Sequence, residues 1–393
     1  MNKPSVALVS LEFGNVGGVG SYTQDLACLL SERKFSTTVF CGKSREAEKQ
    51  SNEYLTIVQL PMLDVPLRGY WFQILNYSSL VQRLHDFDII HAISPHSSAL
   101  CALIKHEHQR MITTIHNVPI FSAKKFFDTP PSDWAVKDVI SHLMEISVGW
   151  KLSALCYSKS ERIVCVSETA RQQAKLAFGK VVNDKTTVIP NGVPFGIVGR
   201  EQHENLREGD TEESLLFYGR LVTLKGIPLL LRSIALLRSK FPKIKLTVAG
   251  SGPLADKLQM LSRKLGIVDN IDFRGYMSRR DLMTVVNGSS IVVLPSYHEG
   301  GLGLAVLEAM ARGKPVVALD YPFMREVIKN FETGLLALPD ETDLARKIEL
   351  LIEDEDLRAK LGRNARNRVY QDFNLDKLIE RYITLYRSLA EQL

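Results

Sequence analysis

The sequence predicts an α/β protein made of two doubly wound parallel sheets. Apolar runs of strand length alternate with helix-period patterns from end to end, and the alternation lapses only once, between Pro194 and Glu213. There the composition turns polar and charged around Gly196, Gly199 and Gly209, which marks a domain boundary. With 393 residues and 45% hydrophobic content, the chain has enough core for two domains at ~100–200 residues each.

The first domain, residues 1–195, opens with a strand at Val6–Ser10, a helix around Tyr22–Glu32 and a strand at Thr37–Phe40. Strands follow at Ile89–Ile93 and Met111–His116, then a long helix near Asp133–Ser158 and a strand at Ile163–Ser167. The second domain, residues 210–374, restarts at Leu215–Tyr218 and continues with strands at Lys245–Ala249, Ile271–Arg274, Ile291–Leu294, Val316–Leu319 and Leu335–Leu338. Helical patterns at Asp356–Asp372 and Leu375–Leu393 have no strand after them, so the last helix, about 375–393, is expected to pack back on the first domain. Sheets of this kind bind ligands beyond the carboxyl ends of their strands, which places the expected site in a cleft between the domains.

Charge and cysteine usage exclude several classes. The net charge of +5 is small against 49 basic and 44 acidic residues, with no long basic run, so no nucleic acid partner is expected. Cys28, Cys41, Cys101, Cys156 and Cys165 lie in apolar contexts without C-x-x-C spacing and read as reduced core residues. The apolar run within Met1–Gly14 is too short for a signal peptide core or a membrane span, which predicts a cytoplasmic protein.

The stretch Pro295–Ala318, P-S-Y-H-E-G-G-L-G-L-A-V-L-E-A-M-A-R-G-K-P-V-V-A, is the most informative. A loop at Glu299–Gly303 separates a buried strand from a helix at Leu304–Ala311. Glycine amides and a helix N-terminus together suit an anion, naturally a phosphate. Leu304, Glu308 and Ala311 fall at i, i+4 and i+7, so Glu308 projects from the apolar face and requires a partner. Its bland alternative is a pairing with a core cation. Gly17 and Gly18 stand between the first strand and first helix, where amides can reach a diphosphate or an acceptor; a plain tight turn is the alternative. A dinucleotide fingerprint fails, because Gly14, Gly17, Gly18 and Gly20 do not fit G-x-G-x-x-G and no acid ends the second strand. Asp86–Asp88 has the D-x-D form of some metal-binding transferases but reads more simply as a strand lead-in.

Six motifs in order resemble the retaining glycosyltransferases of family 4, which have the GT-B fold of two facing Rossmann-like domains with an interdomain cleft. They are G-G-V-G-S-Y (Gly17–Tyr22), T-T-I-H-N (Thr113–Asn117), V-I-P-N-G-V (Val188–Val193), Y-G-R-L-V-T-L-K-G (Tyr218–Gly226), V-A-G-S-G-P (Val248–Pro253) and the Pro295–Ala318 stretch. The resemblance implies that Arg220 and Lys225 hold the donor diphosphate and replace a metal, so no cofactor is expected. It places His116 at the reaction centre against the donor sugar, the alternative being a satisfied structural histidine; His91 and His96, near the end of the preceding strand by position, are further candidates for the same pocket. It puts Glu308 on the ribose, Arg274 and Tyr276 beside the base, and Glu299, Gly300, Gly301, Leu302, Gly303 and Leu304 around the donor sugar and phosphates. Two departures stand out. Eight residues rather than seven separate Glu299 from Glu308, an insertion that falls at Gly300–Gly301, and Asp320–Phe323 reads D-Y-P-F where many members have glycines before the acid matched by Glu326.

The implied function is metal-independent transfer of a hexosyl-type sugar from a nucleotide-diphosphate donor, foremost a UDP-sugar, to an acceptor hydroxyl with retention of configuration. Acceptors compatible with the resemblance are a saccharide, a lipid-linked sugar or a small aglycone. Aromatic and basic residues in 67–77 and 121–134 leave peripheral contact with the inner face of a membrane open. A nucleotide-sugar 2-epimerase on the same fold and a non-catalytic sugar-nucleotide-binding subunit are the alternatives.

Overall fold

The computed structural model describes residues 3–14, 17–44, 50–63, 68–195, 213–299 and 301–393. Seven strands form the first sheet: β1 (Val6–Phe13), β2 (Thr37–Ser44), β3 (Leu55–Gln59), β4 (Ile89–Ala92), β5 (Arg110–Ile115), β6 (Arg162–Cys165) and β7 (Thr186–Val188). All pair in parallel, in the order β3-β2-β1-β4-β5-β6-β7. The second sheet holds β8 (Ser214–Tyr218), β9 (Lys245–Ala249), β10 (Ile271–Gly275), β11 (Ile291–Leu294), β12 (Val316–Leu319) and β13 (Leu335–Ala337). Its order is β10-β9-β8-β11-β12-β13, again fully parallel.

Parallel sheets covered by helices on both faces need apolar residues at every position of their central strands. β4, β11 and β12 are buried throughout, and all three were legible as short apolar runs. The edge strand β3 reads L-T-I-V-Q with a half-exposed pattern, and β7 is T-T-V with every residue partly exposed; neither offers the run that betrays a central strand.

The chain divides into two compact units. One comprises Met1–Ala123, Ser141–Asn191 and Leu375–Leu393, the other Lys124–Ile140 and Gly192–Asn374. Residues 124–140, which lie inside the first domain by the sequence reading, therefore count with the second sheet. The long helix expected near Asp133–Ser158 is present as one continuous helical run over 136–159, but it starts about one turn later than the sequence suggested. A 3₁₀ turn at Pro131–Asp133 precedes a helix at Val136–Met144, a π-helical turn at Glu145–Gly149 and a helix at Trp150–Lys159. The physical reason lies at its start, where Pro130 is held extended and the buried Asp133 carboxylate is fixed by both Nη atoms of Arg232, at 3.1 and 2.8 Å.

The last helix, Leu375–Ala390, buries Leu375, Leu378, Ile379, Tyr382, Ile383, Tyr386 and Leu389, a helix-period stripe, in the first unit. Two tyrosines on that stripe carry polar tips into the core and find partners there. The Tyr382 hydroxyl lies 2.6 Å from that of Tyr22, and the Tyr386 hydroxyl 2.7 Å from Nδ1 of His91. Arg33 adds a 2.7 Å ion pair with Glu380 and a bond to the Asp376 carbonyl. Asp88 accepts from the N–H and hydroxyl of Ser5, while Asp86 is exposed beside His85, so the D-x-D pair is a strand lead-in. None of the five cysteines forms a disulfide. Among the described residues no helix is long and apolar enough to cross a membrane.

Removing the Tyr382 hydroxyl leaves the buried hydroxyl of Tyr22 with Thr114 as its remaining side-chain partner, a loss of about 0.5–1.5 kcal/mol. Tyr382→Phe is expected to lower the urea midpoint of the first unit's unfolding accordingly; an unchanged midpoint would show that the hydroxyl pair contributes nothing.

Candidate functional site

In the second sheet β8 and β11 are neighbours, and the strand order reverses between them. Loops leaving such a point diverge at the carboxyl ends and open a crevice. Arg220 follows β8 by two residues and Glu299 follows β11 by five, so both stand at this crevice.

Close backbone contacts bring the loops together. Gly226 has φ +67°, and a Cβ there would lie 1.9 Å from the Pro295 carbonyl oxygen, so only glycine allows this approach. Tyr297 N–H donates to the Leu224 carbonyl at 2.9 Å. On the other side Gly250, at φ +152°, has a would-be Cβ 1.8 Å from the Gly219 oxygen, and Leu221 N–H donates to Ser251. The turn bearing Lys225 is tied down further by Thr223, whose N–H and hydroxyl both reach Asp138 Oδ2 at 2.9 Å.

The result is an ion pair. Lys225 Nζ lies 2.5 Å from Glu299 Oε1, with the two side chains 20% and 13% exposed. Burial alone would raise the Glu299 carboxyl, but the Lys225 charge and hydrogen bond, with help from Ser296 and His298, hold it below its ordinary value. Gly303, at φ +66°, brings the start of the helix Leu304–Ala311 against the stem of the same side chain, where an added Cβ would sit 3.4 Å from Glu299 Cγ. The N-terminal end of that helix therefore lies close to the Glu299 side chain. Leu302 is buried in the core beneath it.

The remaining residues expected at this site are distributed along the same edge. Arg220 is exposed and makes no ion pair among the described residues. Glu308 is mostly buried and pairs with Arg279 at 3.4 Å, a cation that nothing in the sequence singled out. Arg274 is exposed and paired with Asp272 at 2.6 Å, and Tyr276 is exposed. Gly301 is half-buried, while Gly300 lies outside the described residues. In place of the glycines expected before Glu326, Tyr321 and Phe323 stack at 5.8 Å, and Phe323 meets the edge of His298, the neighbour of Glu299. Asp320 and Arg325 close that segment with two bonds, 2.6 and 2.9 Å.

His116 directly follows β5 in the first unit. Its ring meets that of Tyr22 edge-on at 4.7 Å, and its Nε2 is buried with no hydrogen-bond partner among the described residues. Burial draws its pKa down to about 4, so the imidazole is neutral at physiological pH and offers one donor and one acceptor. His91 is different in kind. Both its nitrogens are satisfied, by Tyr386 and Thr114 at 2.7 Å each, and burial with the nearby His116 takes its pKa to about 3. It is a core residue. The side chain of His96 lies outside the described residues.

Gly17 and Gly18 face something the sequence did not suggest. A Cβ on Gly17 would lie 2.8 Å from Oε2 of Glu12, at the end of β1, so a carboxylate rather than an open anion cradle adjoins this turn. That acid already faces the positive end of the helix Gly18–Glu32, which is where a diphosphate was expected.

Sequence comparison places both units. Residues 16–195 match the model for Glycosyltransferase Family 4, and residues 199–368 match that for Glycosyl transferases group 1. The chain belongs to the family 4 glycosyltransferases. An uncharacterized glycosyltransferase of Methanocaldococcus jannaschii is 30% identical over 244 residues, 60% of this chain and 62% of that protein. The chain spans between 47% and 62% of the length of the first curated relatives it matches. Among solved structures, sucrose-phosphate synthase from Thermosynechococcus elongatus aligns at TM-score 0.81 with 20% identity, covering 100% of both chains. Anabaena HepE in complex with UDP and glucose aligns at 0.75 with 18% identity, over 98% of this chain and 100% of that one. At these identities the likeness is one of fold, and the fold is GT-B with two parallel-sheet α/β domains.

In this family 4 chain the stability of the Glu299 loop depends on pH with a fixed sign. A carboxyl held below its ordinary 4.5 contributes stability above that pH, and the contribution is lost as pH falls through the lowered value. In Lys225→Ala burial acts unopposed and the carboxyl rises. The variant is therefore expected to lose about 1–3 kcal/mol at pH 7, with the deficit shrinking near pH 4. Urea melts at the two pH values check this, and a deficit independent of pH would contradict it.

Proposed function

We propose that the chain is a retaining transferase that moves a hexosyl-type sugar from a UDP-sugar to an acceptor hydroxyl without a metal ion. The observation that carries the reading is the Lys225–Glu299 pair at the switch point of the second sheet, with the helix N-terminus at Gly303 beside it and Arg220 exposed two residues after β8. A nucleoside diphosphate is the ligand that such a place complements: Lys225 and Arg220 supply charge, and the amides of the first helical turn supply directed donors. HepE, which shares the fold, is solved with UDP and glucose.

In this reading the two cations stabilise the charge that grows on the departing diphosphate, each contact contributing about 1.5–3 kcal/mol. Glu299 fixes Lys225 in place before the donor arrives and turns its second oxygen to a sugar hydroxyl. Glu308 shifts from Arg279 to the ribose hydroxyls, a small step for a pair held only at 3.4 Å. His116 stays neutral and offers a hydrogen bond to the sugar, and the leaving phosphate takes the acceptor proton in a front-face displacement, so no protein nucleophile is needed.

A mass-spectrometric screen tests the proposal: UDP-, GDP- and ADP-sugars with pooled saccharide, lipid and aglycone acceptors, with and without a chelator. Transfer from a UDP-sugar that survives chelation is the expected result. Loss of transfer restored by a divalent ion would overturn the metal-independent mechanism, and a new sugar nucleotide formed without acceptor would identify an epimerase instead.

The two acids separate by readout. Glu299→Gln is expected to lower turnover while leaving UDP affinity within about twofold, whereas Glu308→Gln and Arg220→Ala should each weaken UDP binding roughly ten- to hundredfold. Calorimetry with UDP and initial rates measure both; a Glu299→Gln enzyme as fast as wild type would remove the first acid from the mechanism.

A further inference from the structure

Glu12 is the one acid at the carboxyl end of the first strand of the first sheet, and it is nine-tenths buried. Burying a carboxylate there needs a partner, and Arg68 provides one through Nη2 at 2.5 Å to Oε1. Oε2 makes no hydrogen bond among the described residues. A carboxylate has capacity for about four hydrogen bonds, so this oxygen is left with lone pairs to fill.

The glycine at position 17 keeps that oxygen uncovered. Its backbone is extended, at φ −178°, a conformation open to any residue, so conformation does not explain the glycine; the 2.8 Å approach of Oε2 to a would-be Cβ does. The site also lies where a doubly wound sheet receives ligands, since β1 and β4 are the neighbours between which the first sheet's strand order reverses.

We infer that Glu12 Oε2 accepts a hydrogen bond from a hydroxyl of the acceptor, and that the acceptor group at this turn is a neutral polyol or sugar hydroxyl rather than a phosphate or carboxylate. The inference rests on the transferase reading and specifies its second substrate. A phosphate oxygen would set acceptor against acceptor at Oε2, while a hydroxyl supplies the missing donor. A full positive charge is not required either, because the Arg68 guanidinium already balances the carboxylate. No bond is made or broken at Glu12; it positions the nucleophilic substrate.

The test uses the full chain with UDP-glucose and UDP-N-acetylglucosamine against two acceptor pools, one of neutral saccharides, glycosides and polyols, the other of sugar phosphates and uronic acids. Wild type is expected to form product in the neutral pool. Glu12→Gln and Gly17→Ala, which respectively weaken and cap Oε2, should each lower kcat/KM for that neutral acceptor about tenfold or more, with UDP affinity by calorimetry within twofold of wild type, which shows that the variant is folded. Products confined to the anionic pool or absent from both pools, or a Glu12→Gln enzyme with wild-type acceptor kcat/KM, would overturn the inference. A wild-type protein that binds no UDP would strike the transferase reading itself and is told apart by that calorimetric arm.

Discussion

The second unit is organised around one constraint: a lysine and a glutamate from different loops must meet, largely out of water, at the point where the strand order turns. A carboxylate in that position is untenable without its cation, and a flexible lysine reaches it only if its own turn is fixed. Hence Gly226 against the Pro295 carbonyl, the Tyr297–Leu224 bond and the Thr223 contacts to Asp138. All of them decide where Nζ of Lys225 stands, and a cation fixed in advance needs no reorganisation when charge develops beside it.

The two sheets share a strand order through their first six positions but arm it with opposite charge. At the end of the first strand the first unit presents Glu12, and the second presents Arg220. One end therefore suits hydrogen-bond donors and the other suits anions. Polar groups deeper in the first unit play a supporting part. Tyr22, held by Tyr382, presents its ring edge to His116, and His91 is locked between Thr114 and Tyr386, so the last helix braces the strand end that carries His116.

What the sequence made legible follows from what is local. Central strands such as Ile291–Leu294 announce themselves as apolar runs, and the glycine-flanked turn at Lys225 and the Glu299–Gly303 loop are visible as motifs. Residues whose role is to meet a distant partner are not. Asp133 and Asp138 read as part of a long helix, yet they serve Arg232 and Thr223 some 85 to 99 positions away. Glu12 is a single acid in an apolar strand, and its free oxygen and its bond to Arg68 exist only in three dimensions. Arg279 likewise looks like an ordinary first-turn residue of its helix until it reaches Glu308. The D-Y-P-F segment was visible as a departure, but that its aromatics would stack beside His298 depends on the fold.

A crystal structure with UDP bound tests the central claim most directly. The account predicts nucleotide density beyond the carboxyl ends of β8 and β11, with the diphosphate contacting Lys225 and Arg220 and the ribose at Glu308. A diphosphate seated at the Gly17 turn, or held without either cation, would contradict it.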